Sequence, residues 1–296
     1  MAAEIIDGKK IAQTIRAELA QEIEILRAKH QIMPGLAVVL VGENPASQAY
    51  VRMKEKACQK IGIYSEQHSL PEDISEEALL QLVQDLNQNP RIHGILVQLP
   101  LPDHIDEHKI ITTLLPEKDV DGFHPVNMGN VLIGQKGFRP CTPYGIQKIL
   151  EYAGYDPTGK HVVIIGRSNI VGKPIAAMLM QKQEHANATV TVCHSRTPNL
   201  AEMTRQADIL IAAIGRPEMV TADMVNEHAV VIDVGSNRVK DPSTEKGYKF
   251  VGDVKFDDVS SKCKAITPSP GGVGPMTITM LLYNTVESAK RSAGLA

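Results

Sequence analysis

The sequence predicts an α/β fold of two domains, each built on a parallel sheet. The chain has 296 residues, which exceeds the roughly 100–200 residues of an ordinary single domain. Apolar residues make up 43% of the chain, enough for a sizeable core. Short apolar runs rich in β-branched residues alternate with longer segments of helical periodicity. This alternation is typical of parallel sheets covered by helices.

The first half of the chain contains two strand signals, each preceded or followed by a helix signal. Apolar residues recur at helical spacing between Ile11 and Leu26, and an apolar run at 36–41 predicts a buried strand. A helix is expected from Pro45 to about residue 60, with Ser47 as its N-cap. A helix at about 75–87 then leads into an apolar run at 94–97. This helix-then-strand order predicts an α/β domain.

The second half has a clearer alternation. Residues 119–143 are rich in Gly, Pro and Asn, which favours an irregular domain boundary over a packed element. Beyond a helix at about 143–153, the pattern predicts a doubly wound, Rossmann-like sheet. Its strands are expected at 161–165, 189–193, 208–212 and 230–234, with helices at 172–183 and 199–206. A final helix at 277–290 is expected to pack back on the first domain.

Composition and charge point to a small-molecule partner. The formal net charge is only −3, so nothing indicates a basic face for nucleic acid or for an anionic membrane. The four cysteines are far apart and lack the spacing of a disulfide framework or a zinc site, so we expect a reducing, cytoplasmic setting and no metal. No secretory h-region or membrane-spanning apolar stretch is apparent, so we expect neither export nor insertion.

A glycine turn lies between the first strand and the first helix of the Rossmann-like segment. The sequence HVVIIGRSNIVGKP (161–174) would direct backbone N–H groups and the positive end of a helix toward a pyrophosphate. It departs from G-x-G-x-x-G, because Ser168 replaces the second glycine and Gly172 comes one residue late. An ordinary turn between a strand and a helix is the alternative interpretation.

The end of the next strand indicates which dinucleotide is bound. An NAD site generally has Asp or Glu there for the ribose hydroxyls, but this chain has CHSRT (193–197). Arg196 can bind the extra phosphate of NADP through its planar fork, and Ser195 and Thr197 can donate to it. We therefore predict NADP as the cofactor. A solvated loop arginine is the alternative.

Three polar residues of the first domain are expected to converge. Tyr50 and Lys54 are four residues apart on one helix face, and Gln98 closes the following predicted strand. Ligands of open α/β sheets bind beyond the carboxyl ends of the strands, where these residues would meet. Each residue alone also has a simple structural interpretation, namely packing for the tyrosine and solvent exposure for the lysine.

The segment HIDEH (104–108) formally matches the H-x-x-E-H zinc pattern. It follows Pro100 and Pro102 closely, other charged residues surround it, and no third ligand is evident downstream. We interpret it as the capped, solvated start of a helix.

Five motifs together resemble the bifunctional methylenetetrahydrofolate dehydrogenase/methenyltetrahydrofolate cyclohydrolase family. They occur in the family's order over nearly the whole chain, and they are YVRMK (50–54), QLPLP (98–102), KDVDG (118–122), GRSNIVGKP (166–174) and PGGVGPMT (270–277). The resemblance implies oxidation of a folate-bound one-carbon unit with NADP, followed by hydrolysis of the product, in one-carbon metabolism that supplies purine biosynthesis. It also implies a homodimer.

The resemblance further implies a role for each residue of the site. Tyr50 would stack on the pterin, Asp121 would bind its amide edge, and Lys54 and Gln98 would act at the one-carbon bridge. All four would be catalytic residues. The remaining folate contacts would come from Leu99, Pro100, Pro270, Gly271 and Gly272. The cofactor contacts would come from Gly166, Arg167, Ser168, Ser195, Arg196, Thr197 and Ser236.

The resemblance also implies the domain organisation. Residues 1–120 and 277–296 would form a folate-binding catalytic domain, and residues 121–276 a Rossmann-like NADP-binding domain, with a cleft between them. Ser236 and Ser269 depart from the residues usual in the family, and either could adjust affinity. Three other functions stay open at this point: a monofunctional dehydrogenase, an NADP enzyme with another small substrate, and a non-catalytic nucleotide-binding regulator.

Overall fold

The computed structural model describes residues 3–244 and 246–295. It contains two compact units, which we name by their sheets. The small-sheet unit comprises Thr14–Cys141 and Ile278–Ala296. The large-sheet unit comprises Met1–Gln13 and Thr142–Thr277. Among the described residues, no helix is both long enough and apolar enough to cross a membrane.

Strands and helices alternate along most of the chain, as the sequence predicts. The strands are β1 (Glu4–Ile5), β2 (Gly35–Val41), β3 (Tyr64–Leu70), β4 (Gly94–Val97), β5 (His161–Ile165), β6 (Thr189–Cys193), β7 (Ile209–Ala212), β8 (Val230–Asp233), β9 (Asn237–Lys240), β10 (Tyr248–Val251) and β11 (Ala265–Ile266). The helices are α1 (Gly8–His30), α2 (Pro45–Ile61), α3 (Glu76–Gln88), α4 (Glu107–Thr113), α5 (Pro125–Ile133), α6 (Cys141–Tyr152), α7 (Gly172–Leu179), α8 (Leu200–Thr204), α9 (Phe256–Ser260) and α10 (Val273–Ser292). A short 3-10 helix covers Ala222–Met224.

The small-sheet unit has three parallel strands in the order β3-β2-β4. Every residue of the central strand β2 is buried, because helices cover both of its faces. The core on one face joins this sheet to α3 and α4, and it includes Ala37, Val39, Leu79, Val83, Ile95 and Ile110. The carboxyl ends of β2 and β4 therefore lie at one edge of the sheet, and Gln98 follows β4 there.

The N-cap expected for the helix after β2 is wrong. Helix α2 begins at Pro45, and Ser47 is buried within its first turn. The backbone N–H of Ser47 donates to Asn44 Oδ1 at 3.2 Å, so Asn44 supplies the cap. Proline favours the first helical position, which places the cap one residue before it.

The irregular boundary expected at 119–143 is also partly wrong, because it contains helix α5. The residues that suggested loop structure act as the ends of this helix. His124 Nδ1 accepts the N–H of Val126 at 3.1 Å, Pro125 occupies the first turn, and Gly134 ends the helix in a left-handed conformation.

The zinc-like pattern at 104–108 straddles the start of a helix. Asp106 caps α4 by accepting the N–H groups of His108 and Lys109, so His104 lies before the helix and bonds to the carbonyl of Ile74 at 2.9 Å. Within residues 3–244 and 246–295, no group of three or more His, Cys, Asp or Glu is placed to hold a metal ion.

The large-sheet unit has six parallel strands in the order β1-β11-β8-β7-β5-β6. From β5 the chain crosses to β6 on one side and then returns to β7 on the other. The strand order therefore reverses at the carboxyl end of β5, where such sheets bind ligands. Helix α7 ends at Leu179, which is four residues earlier than expected, and the chain then turns through left-handed residues at His185 and Asn187 before β6.

The last helix packs as the sequence predicts, although it begins at Val273 rather than at residue 277. Ser288 Oγ donates to the carbonyls of His93 and Glu117 at 2.6 and 2.8 Å. Asn284 Nδ2 donates to the carbonyl of Val120 at 2.8 Å. These bonds connect the C-terminal part of α10 to the small-sheet unit.

Candidate functional site

The small-sheet unit has a buried lysine paired with a glutamine at the sheet edge. Lys54 lies on α2 and is only 6% exposed, and its Nζ donates to Gln98 Oε1 at 2.9 Å. The backbone N–H of Gln98 bonds to the carbonyl of Val39, which holds the residue at the end of β4. Its side-chain Nε2 donates to the carbonyl of Leu99 at 2.8 Å. The amide orientation is therefore fixed, with its oxygen toward the lysine.

Burial changes the acid–base properties of this lysine. Desolvation lowers the pKa of Lys54, because an ammonium ion loses its hydration inside the protein. The negative charges of Asp121 and of the thiolate forms of Cys141 and Cys58 oppose this shift. The net direction is downward, toward a neutral amine that can accept a proton.

Asp121 lies in a loop that a second acid shapes. The carboxylate of Asp119 is buried and accepts the N–H groups of Gly122 at 3.2 Å and His124 at 2.8 Å, together with Asn127 Nδ2 at 2.9 Å. Burial raises the pKa of Asp121, the cationic form of Lys54 opposes this rise, and the charge of Asp119 adds to it. The pKa of Asp121 is thus raised and that of Lys54 lowered, so burial favours the neutral form of both, while the charge of each favours the charged form of the other.

The other predicted substrate residues of this unit are more open. Tyr50 is one turn before Lys54 on α2 and is 38% exposed. Pro100 is exposed beside the sheet edge, and Leu99 is partly buried. An exposed aromatic ring next to a buried polar pair is suited to stacking on a flat heterocycle.

The glycine turn of the large-sheet unit is as tight as the sequence predicts. Gly166 has φ +129°, and a Cβ there would be 2.2 Å from the carbonyl oxygen of Ala213, so no other residue fits without displacing the backbone. Arg167 and Ser168 are exposed after this glycine. Ser168 Oγ accepts the N–H of Val171 at 3.1 Å, which closes the turn into α7. The turn therefore fits a pyrophosphate at the start of a helix.

The loop after β6 presents the predicted phosphate-binding residues to solvent. Thr197 Oγ1 accepts the N–H of His194 at 2.9 Å, and the N–H of Arg196 donates to His194 Nδ1 at 3.1 Å. These bonds fold residues 194–197 into a compact turn in which Ser195 and Arg196 are exposed. Exposed donors at this position fit the phosphate of NADP, and the turn contains no carboxylate to repel it.

The remaining predicted residues lie in two further loops at the carboxyl edge of this sheet. Ser236 is exposed after β8. Pro270 is exposed after β11, while Gly271 and Gly272 are buried. The carbonyl of Gly271 accepts the N–H of Lys9 at 3.1 Å, and the N–H of Gly272 donates to the carbonyl of Pro268 at 2.8 Å. The backbone here is held tightly, as expected of a loop that approaches a ligand closely.

Sequence reasoning missed two residues of the lysine cluster. Asp119 was visible as the first acid of KDVDG, but nothing in that motif separates a loop-shaping acid from a ligand-binding one. Cys141 is buried, its Sγ donates to the carbonyl of Val120 at 3.3 Å, and it interacts with Asp121. Twenty residues separate it from Asp121, and only the folded chain brings the two together.

Comparisons with known proteins match both units to the family that the sequence motifs resemble. Residues 6–121 match the family described as tetrahydrofolate dehydrogenase/cyclohydrolase, catalytic domain, and residues 140–293 match its NAD(P)-binding domain. Bifunctional protein FolD of Moorella thermoacetica is 60% identical over 98% of this chain and 100% of its own length.

Two solved structures have closely similar folds. FolD of Campylobacter jejuni, a methylenetetrahydrofolate dehydrogenase/cyclohydrolase, is 50% identical with a TM-score of 0.92 over 98% of this chain and 100% of that one. The Trypanosoma brucei N5,N10-methylenetetrahydrofolate dehydrogenase-cyclohydrolase, complexed with NADP and an inhibitor, is 41% identical with a TM-score of 0.94 over 99% of each chain.

Proposed function

The chain belongs to the tetrahydrofolate dehydrogenase/cyclohydrolase family, and from this premise we propose which of its residues bind each reactant and move each proton. The enzyme oxidises 5,10-methylenetetrahydrofolate to 5,10-methenyltetrahydrofolate with NADP+. It then hydrolyses the methenyl product to 10-formyltetrahydrofolate. Both reactions belong to folate one-carbon metabolism.

The observation that carries the assignment of roles is the hydrogen bond between buried Lys54 and half-buried Gln98. Hydrolysis requires a water molecule to lose a proton as it attacks the methenyl carbon, and a folate nitrogen to gain a proton. Since burial lowers the pKa of Lys54, a larger fraction of its amine is neutral than in an exposed lysine, and the neutral amine is the form that can act as the base. The fixed oxygen of Gln98 orients that amine through the 2.9 Å hydrogen bond. Lys54 is thus the proposed proton carrier of the cyclohydrolase step.

The oxidation makes a different demand on the same residues. The methylene carbon lies between two folate nitrogens, which delocalise the cation formed when it loses a hydride. NADP+ supplies the hydride acceptor when bound. The protein therefore has to align the folate rather than move a proton. Tyr50 provides a ring for stacking, Asp121 a carboxyl for the pterin's amide edge, and Leu99, Pro100 and Pro270–Gly272 the proposed further contacts.

The proposed NADP contacts all lie at the carboxyl edge of the large sheet. Gly166, Arg167 and Ser168 would bind the pyrophosphate at the start of α7. Ser195, Arg196 and Thr197 would bind the extra phosphate, and Ser236 would contact the cofactor after β8. The tight glycine turn and the exposed donors after β6 support this assignment.

The proposed division of labour follows the two units. The small-sheet unit would supply Tyr50, Lys54, Gln98 and Asp121 for folate, and the large-sheet unit would supply the NADP contacts together with the proposed folate contacts Pro270–Gly272. The sequence-based boundaries assign residues 121–141 to the NADP domain, whereas the compact units place these residues, Asp121 included, with the small sheet. The N-terminal segment to Gln13 lies with the large sheet.

We also propose that the protein is a cytoplasmic homodimer without a nucleic-acid partner. The four cysteines are all buried and none forms a disulfide, which suits a reducing compartment. The formal net charge of −3 disfavours binding to a polyanion. Sedimentation of the purified protein would measure its oligomeric state directly.

One assay tests the proposed function. Purified protein given methylenetetrahydrofolate and NADP+ should form NADPH and 10-formyltetrahydrofolate, and the same protein given methenyltetrahydrofolate alone should form the formyl product. Absence of NADPH would contradict the dehydrogenase activity. Formation of NADPH with methenyltetrahydrofolate as the final product would leave a monofunctional dehydrogenase.

A further inference from the structure

A fully buried carboxylate connects two loops at the carboxyl edge of the large sheet. Asp253 follows β10 and is 0% exposed. Its Oδ2 accepts the N–H groups of Ile214 at 2.6 Å and Gly215 at 2.9 Å, and its Oδ1 accepts the N–H of Arg216 at 3.0 Å. Oδ1 also accepts Asn237 Nδ2 at 2.8 Å. One side chain thus fixes the loop after β7 and the start of β9.

A second buried acid holds Asp253 in place. Asp233 ends β8, and its carboxylate accepts the N–H groups of Asp253 and Gly235 at 2.9 Å each, and that of Val254 at 3.2 Å. A Cβ on Gly252 would be 1.7 Å from Asp233 Oδ2, so the backbone comes this close only because that residue is a glycine. Asp233 and Asp253 are thus the centre of a buried hydrogen-bond network.

The two loops lie on one side of the reversal in strand order. In Rossmann-like sheets, the ribose of the adenosine half binds at the end of the second strand, which here is β6. A dinucleotide that crosses the reversal point must therefore extend its other half over β7 and β8. Those are the strands whose following residues, Ile214–Arg216 and Gly235–Asn237, the two acids hold.

We propose that Asp253 is a positioning residue for the nicotinamide half of NADP. Its carboxylate holds the peptide groups of 214–216 and the side chain of Asn237 in the conformation that receives this half. Four N–H donors satisfy the carboxylate. In Asp253→Asn, an NH2 group would replace one carboxylate oxygen and would point its own N–H groups at these donors. This proposal rests on the proposed NADP site, since it presumes that the cofactor binds at this edge.

The test compares NADP with adenosine 2′,5′-bisphosphate, which contains only the adenosine half and its extra phosphate. In calorimetric titrations, Asp253→Asn should weaken NADP binding by at least tenfold and change bisphosphate binding by less than threefold. Asn237→Ala removes a single donor and should show the same pattern with a smaller loss. Asp241→Asn is the matched control, because Asp241 accepts hydrogen bonds in the nearby β9–β10 turn, and both ligands should bind it normally.

Retained bisphosphate binding also shows that the large-sheet unit of each variant is folded. Equal losses for both ligands, or no loss for either, would overturn the positioning role. Should Asp253→Asn fail to fold, as judged by circular dichroism, the same comparison in Asn237→Ala decides. Arg196→Ala should weaken the binding of both NADP and the bisphosphate. If the parental protein does not bind the bisphosphate, the proposed NADP site itself is wrong.

Discussion

The two proposed ligand sites lie at the same place in their units, beyond the carboxyl ends of parallel strands, but they differ in burial. In the small-sheet unit, the proposed proton carrier is a buried side chain, with Lys54 only 6% exposed. In the large-sheet unit, Arg167, Ser168, Ser195 and Arg196 are exposed on turns, and the buried acids Asp233 and Asp253 hold backbone.

This difference follows from what each site has to do. Proton transfer at neutral pH needs an amine whose pKa is lowered, and burial lowers it. Binding of a highly charged cofactor needs donors that remain charged and can be reached from solvent. In the proposed roles, burial lowers the pKa of a proton carrier in one unit and holds backbone in place in the other, and three substitutions test that contrast.

The largest effect is expected for Lys54→Met, which keeps the apolar stem and removes the amine. Hydrolysis of methenyltetrahydrofolate should fall roughly 10²- to 10⁴-fold, the usual contribution of positioned acid–base catalysis. Oxidation should remain measurable, because it needs no base, so the methenyl intermediate should accumulate. Its near-ultraviolet absorbance, read with and without acid treatment, measures the accumulation.

Lys56→Met is the matched control, because Lys56 is on the same helix and exposed. Parental hydrolysis in Lys54→Met would show that the proton travels through another group and that burial of Lys54 has no chemical role. The parental hydrolysis rate should also fall as pH is lowered and the amine becomes protonated.

The second effect concerns stability and not catalysis. Burial raises the pKa of Asp233 to about 7, and the charge of Asp253 adds to the rise. In the unfolded chain an aspartate has a pKa of about 3.9. Between those values the folded protein binds more protons than the unfolded chain. The free energy of unfolding contributed by this group is therefore largest below about pH 4 and is lost as pH rises through 7.

Asp233→Asn removes this titration. The unfolding free energy of the parental protein should fall relative to that of the variant by about 2–4 kcal/mol between pH 4 and pH 8. Urea unfolding of both proteins at several pH values measures the difference. A constant difference across this range would show that the pKa of Asp233 is not raised in the folded protein.

The smallest effect is expected for Arg196→Ala on the exposed turn after β6. Loss of a charge-assisted hydrogen bond to the extra phosphate should weaken NADP binding by about 1–3 kcal/mol while hardly changing NAD binding. Titration with both cofactors measures this selectivity. Lys160→Ala, at the opposite edge of the same sheet, should change neither affinity, and equal losses of NADP and NAD in Arg196→Ala would show that Arg196 does not read the phosphate.

Elements with strong local signals were predictable. Buried strands such as β2 and β5 are short apolar runs, and the turn at Gly166 needs a residue without a Cβ. Strand β3 was missed because its sequence YSEQHSL is polar, and it forms by pairing along its whole length with β2. The β9–β10 hairpin was missed for a similar reason, since its residues are mostly polar or charged.

The sequence by itself determined the fold class, the cofactor and the residue types at each strand end, because periodicity and side-chain chemistry are local properties that do not depend on tertiary contacts. Tertiary structure alone decided that Lys54 is buried against Gln98 and that Asp253 holds the loops after β7 and β8. The proton affinity of an amine depends on the dielectric and the charges around it, and residues distant in the chain supply both. The sequence of a helix does not show whether its lysine is solvated or, like Lys54, buried near an aspartate.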